Sequence, residues 1–101
     1  QQAGTVNHVY KVRARPLDDV IRETGVSRVD VIKIDVEGAE LLVLKGAPHT
    51  LQKFGPALVV EYIDKQLQAM GASTAKLDEY LRSFGYAPRG LIASKNMLYS
   101  K

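Results

Sequence analysis

The apolar positions of this chain fall into short blocks whose spacing changes from one block to the next. From Val6 to Arg13 they alternate, with Val6, His8, Tyr10 and Val12 on one side and Asn7, Val9, Lys11 and Arg13 on the other. Such alternation predicts a strand with one mostly wet face, close to a sheet edge. Pro16 suits a first helical turn, and Asp18 and Asp19 favour the positive end of the helix that follows. Leu17, Val20 and Ile21 form its apolar stripe, and Gly25 stops it. Val29 to Asp35 reads as a second strand, short and β-branched. A helix is expected from Gly38 or Ala39, with Ala39, Leu42, Val43 and Gly46 at helical spacing. Pro48 breaks it and starts a second short helix carrying Leu51 and Phe54. "GPALVVEY", residues 55 to 62, is a continuous apolar run closed by Glu61, the pattern of a buried strand. Ser73 or Thr74 caps a further helix with Leu77, Tyr80, Leu81 and Phe84 on one face and Gly85 at its end. The tail, "YAPRGLIASKNMLYSK", predicts a hairpin turning at Ser94-Lys95-Asn96.

The order is therefore strand, helix, strand, helix, strand, helix, hairpin. Alternation of that kind implies an α/β fold: a parallel sheet with right-handed crossovers and helices on its faces. With 101 residues there is room for one domain and no more. A three-stranded parallel sheet in so short a chain leaves an apolar edge and little core, which makes it an odd unit. That open edge also offers a surface for association with a second copy.

Composition narrows the classes without choosing one. Hydrophobic residues make up 46% and charged residues 25%, a globular balance that excludes a disordered tail. The net charge is +3, and the basic residues are scattered without a run of four, so no nucleic-acid footprint is present. The absence of cysteine excludes disulfides and thiolate metal sites and fits a reducing compartment; the expectation is a cytoplasmic protein. No apolar run approaches the roughly 18 to 20 residues of a membrane span, so no membrane partner is expected. The chain opens at Gln1 rather than Met, as a processed protein or a piece of a longer one would.

The candidate chemistry sits in "VIKIDVEGAE", residues 31 to 40. In open α/β sheets, ligands bind outside the carboxyl ends of the strands. Asp35 ends one strand and Glu61 lies near the end of the next, so both can face one crevice. Glu37 and Gly38 occupy the turn, where glycine permits a close backbone approach. Glu40 falls in the first helical turn, where the macrodipole favours an acid. Lys33 shares a strand face with Val31 and Asp35. Either its stem lies along the sheet with the amine reaching water, or it is a counter-charge for Asp35 or Glu61. His8 and His49 read as surface or half-buried structural residues. No P-loop or dinucleotide fingerprint is present, and no metal ligand is assigned.

These residues also carry a resemblance. "PLDDVI…VDVIKIDVEGAELLVLKGAPHTLQKFGPALVVEY" is similar to the C-terminal half of FkbM-type methyltransferases. The match rests on Leu17-Asp18-Asp19, the block from Asp30 to Glu40, Val43 to Ala47, and Leu58 to Glu61. Pro16 departs from it, standing where the family commonly has threonine. What the resemblance implies is the back part of a Rossmann-like class I methyltransferase sheet, using S-adenosylmethionine to methylate a hydroxyl on a sugar or natural product. Asp35, Glu37 and Lys33 are then candidate catalytic residues and Glu61 a substrate-binding one. The family's early strand and Gly-rich loop have no counterpart here, so most of the cofactor site is expected outside these residues and the chain alone is expected to be inactive.

Two other readings stay open. "IDVEGAE" echoes the phosphatase pattern of a strand ending Asp-x-Asp-Gly, but Glu37 replaces the second aspartate and no later aspartate pair for magnesium follows. A non-catalytic binding or assembly module derived from half a methyltransferase fits the missing loop, although a pure scaffold has little reason to keep the acidic block.

Overall fold

The structure, a computed structural model, describes residues 15–101. The strand expected at Val6 to Arg13, and His8 with it, lie outside them. Four strands form one sheet in the order β1-β2-β4-β3: β1 (Val31–Ile34), β2 (Ala57–Glu61), β3 (Ala87–Ile92) and β4 (Asn96–Ser100). β1 and β2 are parallel, with Ile32 level with Leu58 and Ile34 level with Val60. The terminal hairpin runs antiparallel, and β4 rather than β3 pairs with β2. The parallel core and the hairpin expected from the sequence are both present.

Five helices accompany the sheet: α1 (Leu17–Thr24), α2 (Glu40–Lys45), α3 (Pro48–Lys53), α4 (Asp64–Ala69) and α5 (Thr74–Arg82). Gly25 closes α1 at φ 69°, a left-handed cap that other residues adopt at a cost. Ser73, not Thr74, caps α5, its hydroxyl accepting the Lys76 amide at 3.0 Å. Apolar spacing does not reveal α4, which carries one buried apolar residue, Leu67.

The helices and one face of the sheet meet in a single core. Ile34, Leu58, Val60 and Tyr99 come from the sheet; Leu44, Leu51, Leu67, Leu77 and Leu81 come from α2 to α5, with Leu17 of α1 packed against them. Residues of opposite parity on the strands, Val31 and Lys33 on β1 and Ala57 and Val59 on β2, point the other way, and Val31 is 62% exposed. Helices on both faces were expected; among the described residues they cover one. The outer edge of β1 likewise has no strand beside it among the described residues.

The apolar stripe of α2 differs in phase from the expected one. Leu42, expected to face inward, is 59% exposed, while Leu41 and Leu44 are buried. The cause is Glu40, which occupies the inner face that apolar periodicity assigns to hydrophobic residues alone.

Tyr99 and Tyr86 carry their hydroxyls into the interior with partners. The Tyr99 hydroxyl donates to Asp78 at 2.8 Å and that of Tyr86 to the Pro56 carbonyl at 2.6 Å. Burial pushes the Tyr86 phenol up to about 12.

Two aspartates each tie their own helix to a later one. Asp18, near the start of α1, reaches the start of α3 and accepts the His49 amide at 2.8 Å, the Thr50 amide at 2.9 Å and the Thr50 hydroxyl at 2.6 Å. Asp64, at the start of α4, accepts the Thr74 amide of α5 at 2.8 Å. Asp18 was expected to serve its own helix dipole; it caps a neighbour 31 residues away instead. Partial burial opposes its ionisation, but the Thr50 hydroxyl and the two amides together hold its carboxyl below the ordinary aspartate range. The Thr74 amide does the same for Asp64, against partial burial.

Because both folded-state values are depressed, their stabilisation is present above the unfolded value near 3.9 and is lost as pH falls through the folded ones. Asp18→Ala is expected to cost about 1 to 2 kcal/mol in urea unfolding near neutral pH. The deficit against wild type should shrink as pH falls below the unfolded value and through the lowered folded one, where the wild-type carboxyl is itself protonated. A deficit that stays constant with pH would show that the carboxylate is not what caps α3.

Candidate functional site

The carboxyl ends of β1 and β2 lie side by side because the two strands are parallel and in register. Ile34 is level with Val60, so the next residues, Asp35 and Glu61, leave their strands as neighbours on the same face. One carboxylate oxygen from each of Asp35, Glu40 and Glu61 lies within 4.8 Å of the others. Asp35 and Glu37 are exposed, Glu61 is half-buried and Glu40 is 1% exposed.

Glu40 is the interior member of this group. Its Oε2 accepts the Val36 amide at 3.0 Å and its Oε1 accepts the Gly38 amide at 2.9 Å. A charged group so deeply buried needs such partners, and these two satisfy it. The macrodipole argument places Glu40 correctly at the helix start but does not reach its bonds to the loop. Between the two bonded amides, Glu37 adopts φ 50°, a left-handed conformation uncommon for any residue but glycine, asparagine or aspartate. Gly38 follows at φ 105°, and a Cβ there would overlap the Gln66 carbonyl of α4. Only glycine fits that position.

Glu61 feels its neighbours. Partial burial, then the charge and hydrogen bond of Asp35, then the charges of Glu40 and Glu37 push its carboxyl above the ordinary glutamate range. Its Oε1 and the Oε1 of Gln66 are buried with no hydrogen-bond partner among the described residues. An orphaned acceptor of this kind suits a hydroxyl or amine donor from a ligand.

Lys33 does not join the group. It is exposed, and among the described residues it forms no ion pair with Asp35 or Glu61. The counter-charge reading is therefore replaced by the solvent-facing one: the bare face of the sheet lets the amine remain in water. Asp35 and Glu61 meet at the strand ends with Glu40 as the third member, while Glu37 stands on the adjoining turn and adds its charge. Glu40 was undervalued, and the signal for it was the Glu-Gly-x-Glu spacing, two acids bracketing a glycine turn. Three acidic oxygens could also hold a hard cation, though acidic groups gather without one and nothing else at the site points to a metal. A cavity of about 720 Å³ lies elsewhere, between α1 and α3, lined by Ile21, Arg22, His49 and Phe54 among others. It contains none of the acids, and volume alone does not make it the reactive site.

The whole arrangement coincides with a family pattern. The model of the methyltransferase FkbM domain matches residues 2–88. The chain belongs to the FkbM methyltransferase family. Within that family setting, it is 36% identical over 77 residues to the AMB antimetabolite synthetase AmbE of Pseudomonas aeruginosa, covering 76% of this chain and 4% of that protein. It is 35% identical over 83 residues to the 2-O-methyltransferase NoeI of Sinorhizobium fredii, covering 79% and 34% respectively. It is 41% identical over 58 residues to the methyltransferase sdnD of Sordaria araneosa, covering 50% and 22%. The FkbM chain thus spans about a third or less of the length of these relatives. No solved structure matches it.

The elevated Glu61 carboxyl gives a pH signature. Its folded value is raised, so the unfolded state releases this proton first and folding stability falls as pH rises through the window between the two values. Glu61→Gln should be more stable than wild type near neutral pH, with the gain vanishing below about pH 4, where both side chains are neutral. Urea midpoints under the two conditions measure this. An equal shift in both would show that repulsion among the carboxylates is absent.

Proposed function

We propose that this chain forms the acceptor-side wall of an S-adenosylmethionine-dependent O-methyltransferase acting on a hydroxyl of a sugar or natural product. The observation that carries the proposal is the gathering of Asp35, Glu40 and Glu61 oxygens at the carboxyl ends of two parallel strands, with Glu37 on the adjoining turn, in a chain of the FkbM methyltransferase family. The relative named as a 2-O-methyltransferase supports an oxygen acceptor.

The cofactor supplies a methyl group on a positively charged sulfonium. The described residues fit that charge on one side, through their carboxylates and the unpartnered Glu61 oxygen. They hold no strand, Gly-rich loop and helix unit for its nucleoside, so that part of the site is assigned to residues beyond this chain, in keeping with the small share of the relatives it covers. The bare sheet face and the open edge of β1 are where such a part, or a second copy, would pack. On this reading the isolated chain is inactive, and its partners are a small hydroxylated acceptor and the methyl donor, with no nucleic acid and no membrane. Among the described residues no helix is long and apolar enough to cross a membrane.

In-line transfer asks the protein to align the acceptor oxygen with the methyl carbon and to take up the hydroxyl proton. Asp35 is exposed to the crevice and takes the proton or orients the hydroxyl; Glu37, on the same turn, is the second candidate base. The half-buried Glu61 accepts a hydrogen bond from a second acceptor hydroxyl.

In the intact methyltransferase, Asp35→Asn is expected to lower kcat by about 100-fold or more with unfolding unchanged, the usual contribution of a general base. The check is transfer of labelled methyl from S-adenosylmethionine to hydroxylated acceptors. Undiminished turnover in the Asp35→Asn enzyme would remove Asp35 from the chemistry. Absence of any transfer by wild type across sugar and natural-product hydroxyls would favour the non-catalytic module.

A further inference from the structure

The acidic turn is held from both sides. From the inside, the Glu40 carboxylate accepts the amides of Val36 and Gly38 at 3.0 and 2.9 Å. From the other side, α4 packs so closely on Gly38 that no side chain fits, its Gln66 carbonyl standing where a Cβ would be. Between them Glu37 is kept at φ 50°, a conformation that costs about 1 to 3 kcal/mol unless its surroundings impose it. A carboxylate buried to 1% exposure for this purpose is an expensive device when an uncharged cap would end the strand as well.

We propose that Glu40 is the positioning residue of the site: its buried carboxylate fixes the Val36–Gly38 turn and thereby sets Asp35 and Glu37 against Glu61. The inference rests on the methyltransferase reading for the meaning of Asp35 and Glu37, but its geometry can be tested without turnover. Glutamate has the reach to bond both amides while its own backbone begins α2. A glutamine keeps the shape but can offer only one good acceptor oxygen, so one amide loses its partner. An aspartate is one methylene shorter and reaches neither amide from the same backbone position.

The experiment compares wild type, Glu40→Gln and Glu40→Asp in the full chain by backbone resonance and amide hydrogen exchange. The expected result is local. In Glu40→Gln, exchange at Val36 or Gly38 accelerates by at least about 10-fold, the equivalent of roughly 1.4 kcal/mol of lost local protection. The Cα–Hα coupling of Glu37, which reports a positive φ, changes, and the Asp35 and Glu61 resonances shift. Resonances of Leu58, Leu77 and Tyr99 stay in place. Glu40→Asp shows the same signature and does not restore the wild-type pattern. Loss of protection spread evenly through the core, with Glu37 unmoved, would make Glu40 a general structural residue and overturn the proposal. So would two variants with wild-type exchange at both amides. Absence of methyl transfer by the intact methyltransferase, with the local signature present, would count against the methyltransferase reading alone, leaving the positioning role standing.

Discussion

The site depends on one interaction: a buried carboxylate accepting two backbone amides of a turn. Strand β1 ends at Ile34 and α2 begins at Glu40, leaving five residues to reverse direction and expose two acids. Such a turn has unsatisfied amides and a residue at positive φ, and left to itself it would sample other conformations. The Glu40 carboxylate removes both problems by accepting the amides on either side of Glu37. Parallel pairing of β1 with β2 then does the rest, because register alone makes Asp35 a neighbour of Glu61. The proximity of like charges that follows is unfavourable for stability, and the raised Glu61 carboxyl is its record.

The packing is one-sided in a way that belongs with this site. Every described helix contributes to one core, on the face of Ile34, Leu58 and Val60, while Val31 and Lys33 on the other face meet water. Parallel sheets ordinarily have both faces covered. On the proposed reading, further residues of a methyltransferase would cover this face, and its sheet would continue from the open edge of β1. Asp18 and Asp64 matter here as well. By capping α3 and α5, they stiffen a helical layer whose pieces are only six to nine residues long.

Most of this was legible in the sequence, and the failures have physical causes. The β-branched run at Val31–Ile34, the apolar run at Ala57–Glu61 and the turn at Ser94-Lys95-Asn96 announced the strands because strand signals are local. The glycine in the acidic block announced a close approach, and Gln66 is what approaches. Four things were hidden. Helix α4 buries a single leucine, too little to give a period. Leu42 and Leu41 were exchanged because a buried glutamate took an inward position that periodicity reserves for apolar residues. Lys33 was given a partner because a lysine inside a strand looks buried, when the face it stands on is open among the described residues. Asp18's bond to α3 is a contact across 31 residues, invisible to any local rule.

The most direct test of the account is a titration of the intact, isotopically labelled methyltransferase with S-adenosylmethionine, followed by backbone amide resonances. If the carboxyl ends of β1 and β2 form the wall of a methyl-transfer site, the amides of residues 35 to 40 and 61 shift first, and Asp35→Asn weakens the effect. A well-dispersed spectrum that does not move, or shifts confined to the cavity around Ile21, His49 and Phe54, would contradict that placement.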